Sequence, residues 1–392
     1  MGYTFDREDV VFLRSAAGRD AVAELSSLPL TTASRLADVA AARRLVGERF
    51  AAAALETAVL RRRAESKLDD CGEWLFTDTA LQQATASVVA RHRAQRLAGR
   101  DVHDVTCSIG ADLAALTAVA ARCAGSDLDR VRLLMAQHNL AVAGRSAVLV
   151  EADALHPVTR NTAVVADPAR RDDTGRRRWS PADLVPPLNE LLDVYAHRDL
   201  VVKCAPGLDF AAVPDTAEVE VVSLAGQVRE AALWLGGLAD ARARRRATVL
   251  RPDGTGWTIT DAEPDDCPAG EVRQWIVDPD GAVVRAGLVR HYAARHGLAQ
   301  LDPRIAYLTG DQPPPGVRAF RVFEHGRYSE KSLRAQLRRH HVGRLEILVR
   351  GLDVDPDALR RRLKLKGDED ATVVLTRVGD NAMAYLCRAE RT

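Results

Sequence analysis

The chain reads as an α/β protein built on a mainly parallel seven-stranded sheet, with helices before it and an α+β tail after it. Three observations carry that reading. Apolar β-prone segments alternate with alanine- and leucine-rich helical segments between residues 96 and 260, the pattern of parallel strands joined by crossover helices. One strand ends in Asp104-Val-Thr-Cys-Ser-Ile-Gly110 and turns at once into a helix through small residues, which let a ligand approach the backbone. Beyond the linker Gln312-Pro-Pro-Pro-Gly316 the pattern becomes β-α-β-α-β-β with a surplus of basic residues. The organisation expected is a helical domain over 1–95, the α/β domain over 96–260, an extension or linker over 261–315 and the tail domain over 316–392.

In the helical part, apolar residues recur at three and four spacing in Ala33 to Val46 and in Arg49 to Leu60. Thr31 and Thr32 are candidate N-caps for the first of these. Arg61-Arg62-Arg63 places positive charge at a helix C-terminus. Thr77 or Asp78 is positioned to cap a further helix running to about Arg96.

Composition narrows the function classes. The 47% hydrophobic content supports a real core, and the net charge of +1 means that any nucleic-acid surface must be local. The six cysteines include no Cys-x-x-Cys pair, so neither a zinc site nor a disulfide framework is expected, and no metal is assigned. No uncharged apolar run is long enough to span a bilayer, and the first residues carry no signal pattern. The expectation is a cytoplasmic protein without a membrane partner.

Within the core, an acid follows each of three strands. Asp127 ends the second strand, just before the helix Arg130 to Leu140; an acid there can accept both hydroxyls of a ribose. Asp153 follows the third strand, Ala147 to Val150, and Asp167-Pro168 follows the fourth, Thr162 to Ala166. Proline fixes that turn and removes a donor, leaving nearby carbonyls free. Leu200 to Cys204 is read as the fifth strand, Val219 to Leu224 as the sixth and Arg246 to Leu250 as the seventh. A helix is expected from Val228 to Arg242, with Trp234 on its apolar side.

This order of motifs resembles the class I S-adenosylmethionine-dependent methyltransferases, with their Rossmann-like core. The resemblance implies S-adenosyl-L-methionine as cofactor, held by Asp104, Thr106, Ser108, Gly110, Asp127 and Asp153, with Asp153 accepting from the adenine amino group. In the related enzymes that act on RNA, an aromatic-Thr segment before the first strand lies over the cofactor. Phe76 and Thr77 match that place, and an aromatic staple packing a helix N-terminus fits them equally well. The family usually has Asp-x-Gly-x-Gly-x-Gly; Thr106 and Ser108 replace the first two glycines and narrow the space for the methionine part. Asp167 and Pro168 match the motif at which exocyclic amines are methylated. Arg170 stands near the place of its aromatic residue, able to stack on a base or hold a phosphate.

In the tail, strands are expected at Phe320 to Glu324 and Arg344 to Val349. Helices are expected at Ser329 to His340 and Asp355 to Leu363, with a hairpin of Ala371 to Arg377 and Ala382 to Arg388. The segments Val342 to Gly351 and Leu359 to Gly367 resemble the THUMP-like tail of a bacterial methyltransferase family. The resemblance implies binding of RNA, transfer or ribosomal, by Arg338, Arg339, Arg350, Arg361, Lys364 and Lys366. The same charges also fit an ordinary solvated face. The function expected is therefore methylation of a purine nitrogen in RNA. A non-catalytic RNA-binding module that holds the cofactor, and a methyltransferase of small molecules or proteins, are the alternatives.

Overall fold

A computed structural model describes residues 2–170 and 184–391. The chain divides into two compact units. The first comprises residues up to 225 with 229–244 and 250–256; the second comprises 226–228, 245–249 and the chain from 257.

The first unit opens on α1 (Arg7–Arg14), α2 (Ala16–Ser26) and α3 (Arg35–Ala64). Asp6 and Asp9 form a reciprocal capping box at the start of α1, satisfying donors that a helix leaves orphaned. Arg49 of α3 pairs with both carboxylates at 2.8 Å. The two helices expected within α3 are separated at Gly47, whose φ of 76° and ψ of 171° break the helical path. The expected caps Thr31 and Thr32 stand upstream of the cap position, which is Ser34; Thr31 Oγ1 accepts from the Ser34 amide at 3.1 Å. The single helix expected from Thr77 or Asp78 to Arg96 is two, α4 (Asp78–Gln83) and α5 (Ser87–Gln95), with extended backbone at Ala84 and Ala86 between them.

The α/β layer follows: β1 (Asp101–Asp104), α6 (Ala111–Leu116), β2 (Arg122–Asp127), α7 (Arg130–Val142), β3 (Val148–Glu151) and β4 (Ala163–Ala166). Next come a two-residue ladder, β5 (Ala169–Arg170) with β6 (Leu184–Val185), then α8 (Leu188–Val194), β7 (Leu200–Cys204), β8 (Glu218–Leu224) and β9 (Gln227–Leu235). Seven strands of a nine-stranded sheet run in the order β8-β9-β7-β4-β1-β2-β3. Strands β1, β2, β3, β4 and β7 are parallel and β9 is antiparallel to β7. Val164, Ala166 and Val202 pack toward Leu188 and Leu191 of α8 on one face. Ala163, Val165 and Val201 pack toward Leu113 and Leu116 of α6 on the other. With both faces covered, the strands read as unbroken apolar runs.

Residues 228–235 correct the expected helix: they belong to β9. Ala225 and Gly226, both at positive φ (53° and 78°), form the two-residue turn that returns the chain as a hairpin. Trp234 is buried in the core as expected, though on a strand, and its Nε1 donates to Glu220 at 2.9 Å.

After β9 the chain continues through β10 (Arg245–Leu250), β11 (Gly256–Thr260), β12 (Trp275–Val277), α9 (Gly281–Ala286), α10 (Val289–His296), β13 (Ala299–Asp302) and β14 (Ile305–Gly310). The tail holds β15 (Arg318–Arg327), α11 (Glu330–Arg339), β16 (Val342–Arg350), α12 (Pro356–Leu363), β17 (Glu369–Val378) and β18 (Asn381–Arg391). A second sheet runs β13-β14-β12-β15-β18-β17-β16, so residues 261–315 supply three strands to the sheet of the tail. Helix α9 ends at Gly287 (φ 73°), before α10 begins. Asp280 is the N-cap of α9, accepting from the Ala282 amide at 2.8 Å.

The THUMP-like segments meet at two glycines. The register of β16 shifts between Val342 and Arg344. There a Cβ on Gly343 would lie 1.8 Å from the Gly367 carbonyl oxygen, and one on Gly367 would lie 1.7 Å from that of His341. A Cβ on Gly270 meets nothing within 4 Å. In urea unfolding of the full chain, G343A and G367A are therefore expected to lose about 1–3 kcal/mol or more, with G270A close to the parent. A G367A variant as stable as G270A would contradict the contact.

Candidate active site

A cavity of about 500 Å³ opens at the C-terminal ends of β1 to β4, where the sheet order reverses, the usual place for ligands in open α/β sheets. Its floor is the β1–α6 loop. Ser108 sits there at φ 49°, the left-handed region that the family's glycine occupies without steric cost. Its amide donates to Asp127 Oδ2 at 3.0 Å, and the Asp129 amide donates to Oδ1 at 2.8 Å. Each Asp127 oxygen keeps a further lone pair, which is what two adjacent hydroxyls require. Asp153 also lines the cavity; its Oδ1 accepts from the Leu155 amide at 2.9 Å and its Oδ2 lies 3.4 Å from His156 Nδ1.

Asp167 is held by its backbone and its side chain. Its amide donates to Thr106 Oγ1 at 2.6 Å, so the hydroxyl that replaces a family glycine links the first and fourth strand ends. Its carboxylate is ion-paired with Lys203 Nζ, which also donates to the Gln83 carbonyl at 3.2 Å. Burial works against the charge on Lys203, but Asp167, Asp112 and Glu230 outweigh it and raise its pKa. Beside this pair, buried Arg93 bonds Asp112 at 2.8 Å and Thr85 at 3.2 Å and is ion-paired with Glu230. Burial raises the Asp112 pKa, but Arg93 and Lys203 hold it below the ordinary value. For Asp104 the Thr106 amide and Arg93 work the same way but are outweighed. Burial, then Asp112, pushes its carboxyl up to about 8, while its Oδ1 accepts from the Thr106 amide at 3.1 Å.

The structure brings Asp104, Thr106, Ser108, Asp127, Asp153 and Asp167 to one cavity. Gly110 is outside the lining; at φ 81° it lets α6 approach α7, and a Cβ there would lie 3.2 Å from that of Ala136. Phe76 is fully buried in the helical core, 6.2 Å from the Trp74 ring, and does not face the cavity. Thr77 caps α4, accepting from the Ala80 amide at 3.1 Å. The segment 74–76 is fixed by Asn139, which accepts from the Leu75 amide and donates to the Leu75 and Ile109 carbonyls at 2.7–3.0 Å. Pro168 is buried behind Asp167, outside the lining. The side chain of Arg170 lies outside the described residues.

Sequence reasoning missed the wall of the cavity, formed by Ala80, Gln83, Ala84 and Thr85, together with Asp112, Arg132 and Glu190. Spacing gave one signal: Asp112 lies in the first turn of the helix that opens the site. Among the described residues no group of His, Cys, Asp and Glu is placed to hold a metal, and no helix is long and apolar enough to cross a membrane.

The proposed RNA contacts fall into two kinds. Arg338, Arg361, Lys364 and Lys366 are exposed and make no ion pair or side-chain hydrogen bond among the described residues. Arg339 lies 3.3 Å from Glu324. Arg350 is turned inward, 2.9 Å from Asp278 and over the Tyr307 ring at 4.6 Å.

Asp104 gives the site a pH signature. The folded chain holds its proton up to about pH 8, whereas the unfolded chain releases it near the ordinary value of 3.8. Between these values the folded state binds the extra proton, so stability falls as pH rises. Asp104→Asn keeps the acceptor for the Thr106 amide and removes the titration. Urea unfolding at pH 5 and pH 8 is expected to show a loss in the parent on the order of a few kcal/mol at the higher pH. The loss shrinks in D104N; an equal loss in both would contradict the assignment.

Comparison with known proteins places this geometry. A model described as THUMP domain-like matches residues 317–389, and one described as a domain of unknown function (DUF8688) matches residues 6–64. A solved structure from Porphyromonas gingivalis W83, described as a methyltransferase, aligns over 100% of both chains with a TM-score of 0.75 at 20% identity; that likeness is one of fold. Two Mycobacterium tuberculosis proteins, from strains CDC 1551 and H37Rv, are 57% identical over 350 residues, 86% of this chain and 97% of theirs. Both are described as S-adenosylmethionine-dependent methyltransferases, and at that identity and coverage the chain belongs to the S-adenosylmethionine-dependent methyltransferases.

Proposed function

We propose that this methyltransferase modifies a purine nitrogen in transfer or ribosomal RNA. The observation that carries the reading is Asp167, presented to the cavity by Thr106 and Lys203, in a chain that ends in a THUMP-like domain. The donor set fits the cofactor. Asp127 offers a free lone pair on each oxygen for the ribose hydroxyls, Asp153 an acceptor for the adenine amino group, and the cavity volume lies in the range of about 300–1,000 Å³ typical of small-ligand sites. When bound, S-adenosylmethionine supplies an activated methyl group.

The chain's own task is alignment and exclusion of water. A nitrogen nucleophile needs its N–H held so that the lone pair points at the methyl carbon. Asp167 can do this with the oxygen that Lys203 leaves unoccupied, and then takes the proton that the methylated nitrogen sheds. The exposed Arg338, Arg361, Lys364 and Lys366 suit phosphate contacts, and Arg339 and Arg350, already engaged by acids, suit them less.

Purified protein, labelled cofactor and total RNA from a strain lacking the gene provide the test. Label is expected in a methylated purine nucleoside. Asp167→Ala is expected to lower transfer by about 10²-fold or more while leaving S-adenosylhomocysteine affinity nearly unchanged. Label confined to protein or small molecules, or none despite tight cofactor binding, would contradict the reading. R361A/K364A/K366A is expected to flatten the dependence of log affinity for RNA on log salt by roughly two to three; an unchanged slope would remove these residues from the interface.

A further inference from the structure

We infer that Lys203 is a positioning residue for methyl transfer, fastening the acceptor Asp167 and the cavity wall 80–85 to one ammonium group. The inference rests on Asp167 serving as the substrate's acceptor, and it assigns a role to a residue outside the cavity lining.

The strand ladder brings the pair together. β4 and β7 are parallel with Ala166 opposite Val202, so Asp167, one residue past β4, stands beside Lys203, the penultimate residue of β7. The Lys203 side chain is only 14% exposed, too dry a place for a flexible surface lysine. Its other bond goes to the Gln83 carbonyl at 3.2 Å, at the C-terminus of α4, where carbonyls lack helical partners. Lys67 completes that end, donating to the Leu81 and Gln82 carbonyls at 2.9 Å each. Thr85 is bonded by Arg93, which also holds Asp112 on the floor. The extended break between α4 and α5 is thus suspended from cations. Of these, Lys203 also grips Asp167.

A lysine serving only as a core ion pair would affect folding when lost. A lysine that positions Asp167 and the wall together has two further consequences. Without it the Asp167 carboxylate is free to rotate, and the Gln83 carbonyl loses its donor. Loss of Lys203 should therefore lower turnover much more than cofactor affinity, which depends on Asp127 and Asp153, and a longer cation should partly restore it.

The test compares Lys203→Met and Lys203→Arg in the full chain saturated with S-adenosylhomocysteine. In hydrogen exchange, K203M is expected to open the amides of residues 80–86 roughly tenfold more than the parent, the worth of one charge-assisted hydrogen bond, while K203R stays close to the parent. In transfer to total RNA from the deletion strain, K203M is expected to lose about 10²-fold in kcat with the KM for S-adenosylmethionine nearly unchanged, and K203R to regain most of that loss. Unchanged protection of 80–86 in K203M, or turnover near the parent's, would overturn the inference. If K203M does not melt cooperatively, K203M/D167N, which leaves no orphaned buried charge, takes its place in the exchange arm. If the parent itself transfers nothing to RNA, the RNA reading fails on its own, and hydrogen exchange still decides the Lys203 tie.

Discussion

The site depends on one chain of contacts: Thr106 hydroxyl to Asp167 amide, Asp167 carboxylate to Lys203, Lys203 to the Gln83 carbonyl. It joins the ends of the first and fourth strands, β7 and the helical segment above them. The Thr106–Asp167 and Asp167–Lys203 links are half-buried, where an ion pair persists only if its partners stay in place and removal of one leaves an uncompensated charge. The neighbouring Arg93, Asp112 and Glu230 work by the same rule. Arg93 is buried with two carboxylates, and burial works against its charge while Asp112 and Glu230 outweigh it and raise its pKa. The cavity is thus a rigid space between strand ends whose acids are fixed by backbone amides and by cations behind the wall.

That arrangement gives the acids around one cavity different tasks. Asp127 is oriented by two amides, and neighbouring oxygens of a ligand can use its remaining lone pairs. Asp112 is neutralised by Arg93. Asp104, buried without a cation of its own, is pushed toward its protonated form. Environments that drive similar side chains apart in this way mark functional sites.

Much of this was legible in the sequence. The small-residue turn from Asp104 to Gly110 and the acids at 127, 153 and 167 each follow a strand, and the cavity collects all four acids. The rear domain was visible in its alternation of strands and capped helices, with Ser329 and Asp355 at the caps. Three features were hidden for physical reasons. The run from Glu230 to Trp234 is buried on both faces, so it lacks the alternation that marks a strand, and only the Ala225-Gly226 turn betrays the hairpin. Arg93, Lys203 and Glu230 are charged residues whose partners lie far along the chain, and spacing cannot pair them. Phe76 has the aromatic character of a cofactor platform, yet the bonds from Asn139 to Leu75 draw its segment into the core.

The most direct measurement is a crystal structure of the full chain grown with S-adenosylhomocysteine. The account expects both ribose hydroxyls on the Asp127 carboxylate, the adenine amino group within hydrogen-bond distance of Asp153, and the sulfur facing an Asp167 still bound to Lys203. Ligand density away from the β1 to β4 strand ends, or an Asp167 turned from the cavity with its lysine contact broken, would contradict it.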